Sequence, residues 1–123
     1  MKVKDILDML DETKSNKYPD KLKISWLNEI EEEIIAEVYC RSEELKDYVF
    51  EPYAPDDYER DLLAPDRFTD VYLYFLASKV DALRGEAERY NNDSVLFNEA
   101  WDRYSCYMIQ RYVPVRLPNI KKW

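Results

Sequence analysis

Apolar side chains recur at three- and four-residue steps from the start of the chain. Ile6, Leu7 and Leu10 share one stripe within residues 3–13, which predicts a short amphipathic helix ending before Ser15-Asn16. Tyr18-Pro19-Asp20 opens a second helix, from about residue 20 to 40. Leu27, Ile30, Ile34 and Val38 form its stripe, and Ile24 and Trp26 widen it. The other side is nearly all glutamate. Glu29, Glu33 and Glu37 stand at i, i+4 and i+8 with no lysine between them on that face. Such spacing costs about a few tenths of a kcal/mol per pair in an isolated helix and leaves the row open to compensation from outside it.

The helical period is lost over residues 42–66. Pro52, Pro55 and Pro65 break any long helix, while 48–50 and 61–63 leave room for short extended pieces or a short β-hairpin. So long an irregular stretch is unusual in a compact domain, and Tyr48, Phe50, Tyr53, Tyr58, Leu62 and Leu63 are too apolar for disorder. The expectation is a partner-binding arm. Asp66 then caps a helix running from Arg67 to about Tyr90. Phe68, Val71, Tyr72, Phe75, Lys79, Ala82 and Leu83 make its main stripe, with Leu73, Tyr74 and Val80 on other sides. A helix apolar most of the way round is central or touches two neighbours. Asn91-Asn92-Asp93-Ser94 reads as a turn with Asn92 or Asp93 as N-cap of a last helix to about Tyr112, carrying Phe97, Ala100, Trp101, Tyr104, Tyr107 and Met108 on one face. A tail with Pro114 and Pro118 follows, expected to be extended. The fold class is therefore all-α. A bundle of about four helices, with an irregular arm at 42–66 and an extended tail at 113–123, makes one domain over 1–123.

Composition agrees with this pattern. The chain has 123 residues, enough to bury roughly two thirds of its unfolded surface in one core, with 46% hydrophobic residues and a single glycine, Gly85. No apolar stretch of signal-peptide length follows Met1, so synthesis and residence in the cytoplasm are expected, with no membrane partner. Cys40 and Cys106 fall inside the expected helices without metal-type spacing and read as reduced thiols in or near the core.

Charge changes the picture more. The net charge is −8 and the sequence pI about 4.6, which argues against nucleic acid or an anionic membrane as an adhesive partner. All 26 acidic residues precede position 103, whereas Arg103, Arg111, Arg116, Lys121 and Lys122 follow with no acid among them. An acidic body with a basic tail suits self-association. The plainer reading is compensation of the helix dipole and a frayed terminus.

Catalytic chemistry is scarce. There is no histidine, hence neither the commonest general base nor the commonest transition-metal ligand, and no Glu-x-x-His pair for a di-iron site. One glycine cannot build a phosphate loop, a dinucleotide fingerprint or a nucleophile elbow. The runs Glu31-Glu32-Glu33 and Asp56-Asp57-Tyr58-Glu59-Arg60-Asp61 read as solvated or partner-facing, and the second lacks the glycine and terminal glutamate of a calcium loop. No enzyme, metal or cofactor is expected. The positive signal is eleven tyrosines and three tryptophans. Trp26, Tyr72, Phe75, Phe97, Trp101 and Tyr104 suit a core, and the excess suits an interface. Tyr48, Phe50, Tyr53, Tyr58, Leu62, Leu63, Tyr112, Arg116 and Trp123 are the candidate subunit or partner contacts.

The stretch Leu62-Leu63-Ala64-Pro65-Asp66-Arg67-Phe68-Thr69-Asp70-Val71-Tyr72-Leu73-Tyr74-Phe75-Leu76 continues through Gly85-Glu86-Ala87-Glu88-Arg89-Tyr90-Asn91-Asn92-Asp93-Ser94 and Phe97-Asn98 to Tyr104 and Arg111-Tyr112-Val113-Pro114. With Lys23-Ile24-Ser25-Trp26-Leu27-Asn28-Glu29-Ile30 ahead of it, this resembles the small head-tail connector (adaptor, or head-completion) proteins of tailed phages and prophages of Gram-positive hosts. The resemblance implies a helical protomer that forms a ring, dodecameric in expectation, on the portal protein in the virion neck. Such a ring is assembled in the host cytoplasm, extends the DNA channel and offers a docking platform to downstream neck and tail proteins. It implies no catalysis and no cofactor. Genomic DNA would pass without specific binding, and Glu29, Glu33 and Glu37 are the candidate channel-facing acids, since acidic groups repel phosphates. The alternative is a small acidic helical regulator that binds a single phage or host protein.

Overall fold

A computed structural model describes residues 1–115. Four helices dominate: α1 (Val3–Thr13), α2 (Asp20–Glu37), α3 (Thr69–Arg84) and α4 (Ala87–Arg111). Short 3-10 turns at Tyr39–Arg41 and Asp66–Phe68 lie between α2 and α3, and no β-strand occurs among the described residues. Asp61 and Pro114 make only isolated bridges, to Lys2 and Ser42, so there is no hairpin at 48–63. The architecture is all-α.

Helix α3 is central, packing against α1, α2 and α4. Its Val71, Tyr72, Leu76 and Val80 are buried against Ile6 and Leu10 of α1, Leu27, Ile30 and Ile34 of α2, and Ala100 and Tyr104 of α4. Each fully buried aliphatic side chain contributes about 1.5–3 kcal/mol of transfer free energy, which is why a helix with an apolar surface nearly all round settles in the middle. Its last turn is different: Ala82 and Leu83, placed by periodicity on the main stripe, are exposed.

The turn between α3 and α4 sits earlier than the sequence suggests. Gly85 has φ +68, its N–H donates to Ala82 O, and the Glu86 N–H reaches Asp81 O at 3.0 Å, a Schellman turn that requires the left-handed backbone glycine adopts freely. The chain has thus reversed by residue 86, and Asn91-Asn92-Asp93-Ser94 lie inside α4 rather than capping it. At the other end, α2 stops at Glu37, and Cys40 falls in the following 3-10 turn. Cys40 and Cys106 are both exposed, not core thiols; Cys106 lies on the outer face of α4.

The arm at 42–66 is irregular as expected but is built into the body. Arg60 O and Tyr58 O accept the Val3 and Lys4 N–H groups at 2.9 and 3.0 Å, capping the first turn of α1. Lys2 and Lys4 both reach Glu59, whose carboxyl these contacts pull down to about 2. Past α4, the chain at 113–115 is extended and runs antiparallel to 41–43, with Glu43 N–H donating to Val113 O (2.9 Å) and Val115 N–H to Arg41 O (2.8 Å). Arg116, Trp123 and the rest of the tail lie outside the described residues.

Candidate interaction surface

Helices α2 and α4 both lean on α3 while making little direct contact with each other, which leaves a valley between them. Its α2 wall carries Glu29, Glu33 and Glu37, exposed one turn apart. Its floor and far wall carry a ladder of rings. Phe75 of α3 meets Phe97 of α4 at a centroid distance of 5.6 Å, and Phe97 meets Trp101 at 5.8 Å. These groups line a cavity of about 350 Å³. Beyond Glu37 the valley opens into a second cavity of about 410 Å³ lined by Val38, Met108, Ile109, Tyr112, Pro114 and Val115. Phe75, Phe97 and Trp101 are therefore only partly buried, unlike Tyr72 and Tyr104.

The valley already holds one cation. Lys79 Nζ of α3 lies 2.9 Å from Glu29 Oε1 and 5.1 Å from the Phe75 ring centroid, a carboxylate on one side and an aromatic face on the other. This is the compensation from outside the helix that the glutamate row invites, and it reaches only the first of the three. Among the described residues Glu33 and Glu37 form no ion pair.

The arm residues expected to meet a partner divide into two groups. Tyr53 and Leu62 are 4% and 6% exposed, buried in this chain's own core, and in this conformation they are unavailable to another protein. Phe50 and Leu63 are half-buried against the same core. Tyr48 and Tyr58 remain exposed, Tyr48 edge-on to Tyr39 at 5.4 Å and Tyr58 donating its hydroxyl to Asp20 Oδ2 at 2.9 Å. Tyr112 is half-buried and lines the second cavity.

What holds the arm is a carboxylate that the sequence places in an acidic surface run. Glu31 is fully buried, contrary to the solvated reading, and accepts from the Tyr53 hydroxyl (2.5 Å), the Tyr72 hydroxyl (2.6 Å) and the Leu63 N–H (2.9 Å). Tyr72 in turn accepts from the Ala64 N–H. Burial pushes the Glu31 carboxyl above its ordinary value, with the three hydrogen bonds and Arg60 pulling the other way, and both tyrosine hydroxyls are held well above theirs by burial beside that carboxylate. Asn28, one turn earlier, completes the clamp: its Oδ1 accepts the Tyr53 N–H (2.7 Å) and its Nδ2 donates to Tyr53 O (3.1 Å). The available signal for Glu31 was position, since residue 31 falls between Leu27 and Ile34 on the apolar stripe of α2.

A second buried polar cluster joins three helices. Lys14, just past α1, donates to both Asp81 oxygens (2.8 and 2.9 Å) and lies 3.4 Å from Asp93 Oδ2 of α4. Two carboxylates thus share one ammonium. Asp81 stays below its ordinary value, burial being outweighed by hydrogen bonds from Asp93 and Lys14 and by the charges of Lys14 and Arg89. Asp93 is pushed up to about 6 by burial and by the neighbouring Asp81.

Comparison with family models, with curated proteins and with solved structures returns no match for this chain. No helix among the described residues is long and apolar enough to cross a membrane.

Proposed function

We propose that this chain is a structural head-tail connector of a tailed phage or prophage. In this reading it forms a ring on the portal, extends the DNA channel and presents a docking platform for neck and tail proteins. The observation that carries the proposal is the valley between α2 and α4. Around a completed core the chain keeps an open, ring-lined groove with an acidic wall, and α4 adds Val95, Leu96 and Ile109 exposed to water. Apolar surface of this kind is where soluble proteins meet partners. The sequence resemblance to connectors, carried by residues 23–30, 62–76, 85–94, 97–98, 104 and 111–114, supplies the identity of those partners, and the net charge of −8 suits a conduit through which DNA slides.

The arm fits the same role in a different way than its sequence suggests. Pinned by Glu31 and Asn28, it buries Tyr53 and Leu62 in this chain's own core and presents Tyr48 and Tyr58 at the surface. Electron microscopy of the purified chain mixed with the portal protein of its phage or prophage tests the proposal. A ring seated coaxially on the portal is the expected result. Portal particles left bare at saturating chain concentration, with the chain single or paired, would favour the acidic regulator instead.

A further inference from the structure

The valley has the chemistry of a receptor for a basic segment that also carries apolar side chains, and the chain itself contains one. Residues 116–123 carry Arg116, Lys121 and Lys122 together with Leu117, Ile120 and Trp123, and no acid. We propose that residues 116–123 of one copy dock into the α2–α4 valley of a second copy, placing their cations against Glu33 and Glu37 and their apolar side chains on Phe97, Trp101 and the Val38–Met108 cavity. The proposal rests on the self-assembling reading above and assigns the glutamate row to a subunit contact rather than to the channel lining.

Three observations carry it. Lys79 demonstrates within one chain what the valley binds: an ammonium held between Glu29 and the Phe75 ring. One and two turns further along α2, Glu33 and Glu37 face the continuation of the same ring ladder and lack a described cation. Length agrees as well. From Phe97 to Met108 the valley follows α4 for about 16 Å at 1.5 Å per residue, and an eight-residue segment spans up to about 27 Å when extended. Charge complementarity is the third: the acids lie in the body and the acid-free basic stretch in the tail. Because valley and tail are different patches of the same chain, the contact is head-to-tail, and its repetition closes into a ring or grows as a filament.

A charge-swap experiment on full-length chains tests this. One variant carries E33K and E37K, the other K121E and K122E; Glu33 and Glu37 are exposed, and an unchanged circular dichroism spectrum and Tm verify folding. Assembly is followed by sedimentation velocity at low salt, on the portal if the chain needs that surface. Each variant alone is expected to need at least about tenfold more protein for half-assembly than the natural chain, since like charges now face each other. Mixed in equal amounts, the two variants restore assembly, because each one's tail matches the other's valley. Variants that assemble as well as the natural chain, or a mixture that fails to recover, overturn the docking proposal while leaving the connector reading in place; failure to recover is also what docking of the tail on its own chain would give. A natural chain that never assembles, alone or with portal, removes both.

Discussion

Replacing Glu31 with alanine probes the clamp that joins the arm to the body. The carboxylate is fully buried and accepts three hydrogen bonds, so its removal strands two buried hydroxyl donors and the half-buried Leu63 N–H. The Tyr53 hydroxyl can redirect to Asp61 O, 3.2 Å away, whereas Tyr72 O–H and Leu63 N–H donate to no second acceptor among the described residues. Each orphaned buried donor costs about 1–3 kcal/mol, and the space left by the side chain adds to this, while relief from burying a charge subtracts. A net loss of about 3–5 kcal/mol follows, as for breaking a buried pair by removing one partner. With an m-value of about 2 kcal/mol per molar urea, the unfolding midpoint falls by about 2 M. Tyr53→Phe keeps the other two donors in place and should cost only about 1–2 kcal/mol. Urea denaturation of the three proteins, with amide exchange at Tyr53 and Leu63, gives both the magnitude and the place of the loss. A Glu31→Ala variant within 1 kcal/mol of the natural chain by the same measurement, or no less stable than Tyr53→Phe, would refute the reasoning.

Asp93, with its folded pKa raised to about 6, binds a proton more tightly folded than unfolded, so its contribution to stability is present below about 4 and lost as pH rises through 6. Asp93→Asn, which removes the titrating carboxyl, should therefore raise Tm at pH 7.5 by the equivalent of about 1 kcal/mol and flatten the Tm profile between pH 4 and 7; an unchanged profile would contradict the shared-ammonium description. Gly85→Ala should cost about 1 kcal/mol through its positive φ alone, since an added Cβ meets nothing within 4 Å. A loss several times larger in thermal unfolding would mean that the turn is more crowded than described. Fluorescence anisotropy with labelled double-stranded DNA at about 0.15 M salt should show no binding at micromolar protein, as the net charge of −8 requires; salt-sensitive micromolar affinity would contradict a non-adhesive conduit.

Periodicity made the helices legible, and local chemistry set their ends less well. The stripe of Ile6, Leu7 and Leu10 carries enough signal to make α1 an amphipathic helix, and the nearly all-round apolar surface of α3 enough to place that helix among its neighbours. Asn91-Asn92-Asp93-Ser94 has the composition of a turn, yet Gly85 reverses the chain first, because a left-handed position is far easier for glycine than for any of those four. The arm shows the limit of composition most plainly. Its aromatic content announces contacts without saying with what, and the answer depends on Glu31 and Asn28, which are 22 and 25 residues from Tyr53 in sequence. Such long-range polar pairing leaves no periodic trace. The valley was half visible: the glutamate row stands out in α2, but only packing reveals that Phe75, Phe97 and Trp101 line up beside it. Cys40 and Cys106 went the other way, read as thiols in or near the core although both are exposed, Cys40 in the 3-10 turn after α2 and Cys106 on the outer face of α4.

The most direct test is the mass of the full-length chain measured by sedimentation velocity from about 1 to 100 μM, alone and with portal, in low and high salt. The account predicts a ring of many copies, formed by the chain itself or on the portal and weakened by salt. A particle of 14.9 kDa at every concentration, indifferent to portal, would contradict it.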